Sequence, residues 1–459
     1  MVNRRRFLGH SCKLGIASAT LTSSVLQLAL ARQAAAATQE GYRALVCILF
    51  AGGNDSYNMV VPNDSDQFSE YAAIRSDLAH DQSTLLPLAG TTLTGRNYAL
   101  HPGMSEVQQL YADGELGIIA NVGTLLEPVD AQAVESGSAR LPLGLFSHSD
   151  QIAQWQTAVP DDRVAQGWGG RLADLYEGVN AANGISMNIS LGGTNLFQSG
   201  HRTVEYAIAA DGDGATSINA YDDGSEFGGF RKRMIDELLA VPQPNLFRRE
   251  YSRRLRGSID AQHVFVEALH ASVVPGTEFS PGPFSQSLRQ IARVIAARDA
   301  LGACRQTFFV QVGGWDHHDE VLDNQANMLP AISRGLKEFR DALIEIGVYN
   351  DVTTFTTSDF GRTLTSNGKG SDHGWGGHHL VMGGSVTGAQ LIGTYPLLSM
   401  NSPLDVGRGI YIPTTSVDEY FAELALWFGV AATDLDGVLP NVRAFYAPES
   451  GTPPLGFLL

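Results

Sequence analysis

Six short apolar runs punctuate this chain: Ala44 to Phe50, Leu116 to Val122, Ile185 to Leu191, Thr307 to Val312, Val352 to Thr357 and His379 to Met382. Runs of four to seven residues, rich in β-branched side chains and with little polar alternation, suit strands covered on both faces, the pattern of a buried parallel sheet. Helical patterns fill the intervals at Met104 to Tyr111, Gln151 to Trp155, Gly170 to Tyr176, Arg231 to Leu239, Arg248 to Leu269, Ser285 to Leu301 and Ala331 to Ile346. A last helix, Tyr420 to Phe428, follows the capping box Ser416-Val417-Asp418-Glu419. Strand alternating with helix predicts an α/β fold, a mainly parallel central sheet with helices on both faces. Hydrophobic residues make up 44% of the 459, enough for a large core. No internal repeat is visible, and the Gly/Asp-rich stretch Ala210 to Gly229 reads as an excursion. Residues 38–459 are therefore expected to form a single domain with insertions.

The first 37 residues have another character. Arg4-Arg5-Arg6-Phe7-Leu8 precedes a moderately apolar run, Leu14 to Leu30, and then Ala34 to Ala37, all before the first acid, Glu40. A basic segment, an apolar segment and a small-residue cleavage zone make a signal peptide, and the paired arginines before Phe-Leu resemble a twin-arginine export signal. The apolar segment is too diluted by Ser, Thr and Gly for a membrane span, so no span is expected after processing. Export by the twin-arginine machinery would place the protein in the periplasm or outside the cell. Cleavage after Ala37 removes five of the 31 basic residues and no acid, leaving 26 against 48 and a net charge of -22. Such a body repels nucleic acid and anionic membrane alike. Cys12 leaves with the signal, while Cys47 and Cys304 lie in apolar runs and read as buried thiols, so no disulfide framework is expected.

In sheets of this kind ligands bind beyond the carboxyl ends of the strands, and the chemically dense segments begin there. Phe50 leads into Ala51-Gly52-Gly53-Asn54-Asp55-Ser56, Val312 into Gly313-Gly314-Trp315-Asp316-His317-His318, and Thr357 into Ser358-Asp359-Phe360-Gly361-Arg362. Carboxylate with neutral imidazole suits a divalent ion, zinc, manganese or calcium, one or two in number. Asp55 is a candidate ligand, or the acid of a tight turn that bonds its own backbone. In an extended stretch Asp316 and His318 point one way and His317 the other, so the first two form the preferred pair. Asp359 is a further candidate ligand, with Arg362 either its ion partner or a clamp for an oxyanion, and Asn54 oriented towards the same anion. One or two of His373, His378 and His379 would complete the set, with His373 and His378 ahead; a histidine can equally orient a ligating carboxylate. Phe146-Ser147-His148-Ser149-Asp150-Gln151 precedes a helix, with Ser149 or Asp150 as its N-cap. At that positive helix end Ser147 is the first choice of nucleophile, with His148 as ligand or general acid/base. His101, before another helix, reads as structural.

These motifs, in this order, resemble an exported bacterial family, the domain of unknown function 1501 family. The resemblance rests on Phe50 to Pro62, Leu100-His101-Pro102, Leu145 to Gln151, Gly167 to Asp174, Gly313 to Asp316, Phe360 to Thr363 and Asp372 to His378. That family in turn looks like a distant branch of the alkaline-phosphatase-like superfamily of sulfatases, phosphodiesterases and related enzymes. The resemblance implies a three-layer sandwich, one or two metals and a Ser, Thr or modified Cys nucleophile. By this resemblance Asp55 matches the superfamily's carboxylate after its first strand, Asp316 and Asp359 match the later carboxylates, and Ser147 would fall near the nucleophile helix. Phe360 stands where relatives often carry His, and Asp316-His317-His318 where they often carry Asp-x-x-x-His.

The expected function is an exported metal-dependent hydrolase of phosphate or sulfate esters, on small-molecule or polysaccharide substrates. The alternatives are a non-catalytic exported binding or assembly protein that keeps the fold, and a metal-free serine hydrolase using Ser147 and His148. Against the last, Ser147 lacks the Gly-x-Ser-x-Gly elbow.

Overall fold

The computed structural model describes residues 41–89, 95–215, 218, 221 and 223–458; the expected signal segment, with Cys12, lies outside them. Nine strands join in one sheet: β1 (Arg43–Phe50), β2 (Leu116–Gly123), β3 (Asn188–Ser190), β4 (Tyr206–Ala207), β5 (Arg305–Val312), β6 (Val352–Ser358), β7 (Gly377–Met382), β8 (Leu391–Ile392) and β9 (Thr415–Ser416). Across the sheet they run β8-β2-β7-β6-β1-β5-β3-β4, with β9 against the far end of β2. The central strand β1 lies parallel to both neighbours, which sets Phe50 beside Val312 on one side and Ser358 on the other. Three carboxyl ends thus emerge side by side.

Helices of eight or more residues among those described are α1 (Ser65–Arg75), α2 (Ser105–Ala112), α3 (His148–Thr157), α4 (Trp168–Leu175), α5 (Glu226–Ala240), α6 (Leu246–Ala271), α7 (Pro283–Ala296), α8 (Val321–Glu345) and α9 (Val417–Phe428). Because successive side chains on a strand face opposite ways, β1 divides between two cores. Val46, Ile48 and Phe50 pack with Leu288 and Ile291 of α7 and Leu336 and Phe339 of α8. Leu45, Cys47 and Leu49 pack on the other face with Trp155 of α3, Trp168 of α4 and Phe421 of α9. The architecture is a three-layer α/β sandwich. Each fully buried Val, Leu, Ile or Phe contributes roughly 1.5–3 kcal/mol, which explains why β1 needs apolar residues on both faces. The capping box forms as expected, Ser416 and Glu419 each bonding the other's backbone N–H.

Several expectations are corrected. β7 is antiparallel to both β2 and β6, because the chain returns from β6 through a short ribbon, Arg362–Ser366 paired with Ser371–His373, and not through a crossover helix. Helix α8 begins ten residues before Ala331 and runs through Pro330; its buried stripe, from Val321 and Gln325 to Leu343, outweighs the hydrogen bond that a proline cannot make. Cys47 is buried but Cys304 is exposed, since it precedes β5 in the turn that enters the sheet. The N-cap of α3 is Ser147, not Ser149 or Asp150; Asp150 instead bonds Arg163 at 2.8 Å.

Candidate metal centre at the strand ends

The loop leaving β1 lies backbone to backbone against the loop leaving β5. Gly52 has φ 122°, and a Cβ there would stand 2.5 Å from the Asp316 nitrogen. Gly53, φ 86°, is covered in the same way by the Phe360 ring. Only glycine fits both the space and the left-handed backbone. Arg362, at the start of the return ribbon, binds these loops together. It donates from Nε to the Gly53 carbonyl at 2.7 Å, from Nη1 to the Ser371 carbonyl at 3.1 Å, and from Nη2 to the carbonyls of Gly52 and Trp315. Nη2 also donates to Asp316 Oδ1 at 2.6 Å. The guanidinium is buried and spent on the protein's own loops, so it positions Asp316 and does not present a free fork to an oxyanion.

Around Asp316 stand three histidines. His318 Nε2 is 3.1 Å from Asp316 Oδ1, His373 Nε2 is 3.5 Å from the same oxygen, and the two ring nitrogens are 3.0 Å apart. His148 Nε2, from the first turn of α3, is 3.6 Å from Asp316 Oδ2. One ligand atom each from His148, Asp316 and His373 falls within 4.8 Å of the others. Bonds of about 2.0–2.1 Å at the tetrahedral angle set neighbouring donors about 3.4 Å apart, which the 3.0, 3.1 and 3.5 Å edges of the Asp316–His318–His373 triangle bracket.

The far side of each ring fixes its tautomer. His373 Nδ1 meets the Phe146 carbonyl at 2.7 Å, and a carbonyl only accepts. His318 Nδ1 meets Asp372 Oδ1 at 3.1 Å; a hydrogen bond from Asn367, then Arg408, hold the Asp372 carboxyl well below the usual range, so it too accepts. His148 Nδ1 lies 2.7 Å from Asp359 Oδ2. With the proton on Nδ1 in every case, three bare Nε2 lone pairs converge on a carboxylate. Burial pushes His373 below the ordinary histidine range and keeps the ring neutral. Burial works to raise Asp316, yet the hydrogen bond and charge of Arg362 hold it below its ordinary value. Burial raises Asp359, against the hydrogen bond from His148. Lone pairs facing one another at 3.0 Å repel unless a cation lies among them, so this donor set fits a divalent ion of the zinc or manganese kind.

Ser147 precedes His148 and caps α3 without a side-chain cap bond; its Oγ lies 3.2 Å from Ser149 Oγ. Phe146, just before it, holds φ 72°, a left-handed backbone costly for a bulky residue. The same residue's carbonyl receives His373 Nδ1, so the strained turn and the metal cluster are one construction.

The other candidate residues lie elsewhere. Asp55 is fully buried, its Oδ2 accepting from Arg75 Nη2 and Ser371 Oγ, both at 2.6 Å. The acid after the first strand is thus a counter-ion under the loops, outside the histidine cluster. Asn54 is also buried, its amide meeting Met59 Sδ at 3.5 Å and Gln325 at 3.3 Å. His378 accepts the Asn121 backbone N–H at 3.0 Å and stacks on Tyr395 at 15°; burial pushes it down to about 3. His379 packs on Trp155 in the opposite core. His317 is buried beneath the cluster, and His101 accepts from the Gly103 N–H at 3.0 Å. Phe360 lies against the rings of His373 and His148, with centroids 4.4 and 4.9 Å away. Sequence reading missed Arg75 and Ser371 as partners of Asp55, and nothing local marks them.

Residues 262–438 match the family described as "Protein of unknown function (DUF1501)", and this segment carries Asp316, His318, Asp359 and His373. No curated protein matches the chain. Among solved structures it is similar to Ps i-CgsB in complex with k-i-k-neocarrahexaose, at 10% identity over 85% of this chain and 72% of that one, TM-score 0.32. It is also similar to a 2-O GAG sulfatase, at 10% identity over 77% and 66%, TM-score 0.26. A mutant of the alkaline phosphatase PafA overlaps at 12% identity over 71% and 64%, TM-score 0.27. Overlaps this loose carry no argument about the chemistry, which rests on the residues themselves.

Proposed function

We propose that this DUF1501-bearing chain is an exported metal-dependent hydrolase of phosphate or sulfate esters, with the ion held by His148, Asp316, His318 and His373. The observation that carries it is the convergence of three Nε2 lone pairs on the Asp316 carboxylate. The chemistry such an ion supplies when bound is Lewis-acid polarisation of an ester oxygen and a lowered pKa for a nearby hydroxyl. Asp359 orients His148, Asp372 orients His318 and the Phe146 carbonyl orients His373, each by holding the Nδ1 proton. Arg362 keeps Asp316 ionised and fixed. Ser147, at the positive end of α3 and with its hydroxyl free of capping duty, is the nucleophile, and the helix end favours the anionic group that it attacks. Asp150 beside it is held below its usual range, first by the Arg163 hydrogen bond, and is a poor base.

The test is elemental analysis of the purified protein together with hydrolysis of p-nitrophenyl phosphate and p-nitrophenyl sulfate. About one zinc or manganese per chain is expected, lost in Asp316→Ala and His373→Ala along with turnover, while Ser147→Ala keeps the metal and loses turnover. Absence of metal, or retention of it in both ligand variants, sinks the reading. The packing of Phe360 against two of the ring ligands favours one second reading, a metal-binding protein without turnover. It predicts bound metal with no ester consumed.

A further inference from the structure

Of the sixteen large apolar side chains left exposed among the described residues, eight lie in the short stretch from Phe227 to Tyr251. Helix α5 buries only Gly228, and α6 buries nothing before Ile259. Along α5, Phe227, Phe230, Met234 and Leu238 recur at three- and four-residue spacing and share one stripe, 49 to 68% exposed. At the start of α6, Leu246, Phe247 and Tyr251 are 63, 83 and 69% exposed. Single exposed hydrophobic residues need no explanation, but seven on two consecutive helices mark an interaction surface.

The charge of the same hairpin is opposite to that of the body. Between Glu226 and Arg256 lie eight basic residues against four acids, a local +4, while the rest of the chain carries -17 − 4 = -21. Two of the four acids are already engaged, Asp236 by Lys232 and Arg256 and Glu250 by Arg253 and Arg254. Arg233, Arg248 and Arg249 are exposed. A second copy docked through the same face would set +4 against +4 across a two-fold axis, which disfavours self-association. An anionic bilayer offers both halves of the match, an acyl boundary for the stripe and headgroups for the arginines. With a Debye length of about 8 Å at physiological salt, the hairpin's own charge dominates at its surface and the acidic body beyond it is screened. No helix among the described residues is long and apolar enough to cross a membrane, so the contact is one of lying on the surface. We infer that the α5–α6 hairpin docks the protein on an anionic lipid surface.

Co-sedimentation of the full chain with vesicles of phosphatidylcholine containing about 30% phosphatidylglycerol tests this, with pure phosphatidylcholine as control. Binding is expected to the anionic vesicles only and to weaken at high salt. It should fall at least about tenfold in Arg248→Glu/Arg249→Glu and in Phe230→Glu/Phe247→Glu, with circular dichroism and ester hydrolysis unchanged because these side chains lie in solvent. No binding by the unaltered chain overturns the inference, as does equal binding by both variants. A dimer in sedimentation equilibrium that the Phe pair dissociates assigns the face to a second copy instead. Retention on heparin without vesicle binding assigns it to an acidic polymer.

Discussion

Replacing Asp55 by Asn separates two roles for the acid after the first strand. Asp55 and Arg75 are both wholly inaccessible and 2.6 Å apart. The remaining partners of the guanidinium, Asn58 Oδ1 at 3.1 Å and the carbonyls of Thr363 at 3.1 Å and Leu364 at 3.4 Å, are neutral. The Asp55→Asn exchange would therefore strand a buried cation, a loss of about 3–5 kcal/mol. For about 420 residues at roughly 2.1 cal/mol/K each, the unfolding entropy is about 0.9 kcal/mol/K, so the midpoint should fall by about 3–6 °C. Removing the cation as well, in Asp55→Asn/Arg75→Met, should restore most of that loss, since the orphaned charge and not the missing contact is the cost. Thermal and urea unfolding at about pH 7 measure both variants, and elemental analysis follows the metal. Metal content is expected to be unchanged. An Asp55→Asn variant that unfolds at the normal temperature but arrives without metal would show Asp55 to be a ligand and refute the reasoning.

Gly52→Ala should lower stability by about 2 kcal/mol or more and weaken metal binding, because the new Cβ meets the Asp316 backbone at a left-handed φ; calorimetric zinc titration checks it, and an unaltered affinity counts against the loop packing. Asp359→Asn should cost roughly 10–100-fold in metal affinity with little loss of fold, by releasing His148 from its tautomer. His378→Ala should leave metal stoichiometry intact while lowering the unfolding temperature, since that ring fills the core beside Tyr395. Asp418, fully buried at the start of α9, is pushed by burial up to about 7 from an ordinary 3.8. Between those values the native state holds a proton that the unfolded chain has lost, so stability should fall as pH rises from about 4 to 7 and level off above. Asp418→Asn should flatten that slope; parallel urea-midpoint curves for the two proteins would contradict it.

The positions of β1, β2, β5 and β6 were legible because each is a short run dominated by apolar and β-branched residues, and such a run has few stable places other than the middle of a covered sheet. Asp316 and His318 do meet, at 3.1 Å, but through tight turns and not through extended chain, the His318 N–H bonding the Asp316 carbonyl at 3.0 Å. Local geometry could not choose among the other acids and histidines. Asp55 and Asp359 both follow parallel strands in polar turns, yet one lies beneath the loops against Arg75 and the other orients His148. His373 and His378 are five residues apart; the return ribbon sends the first to the cluster and the second into the core of β7. The chain by itself determined where ligand-type residues leave the sheet, through hydrophobic periodicity. Only the tertiary structure decided which of them meet, because that depends on loop paths and on buried partners such as Arg75, Ser371 and the Phe146 carbonyl, which no nearby sequence announces.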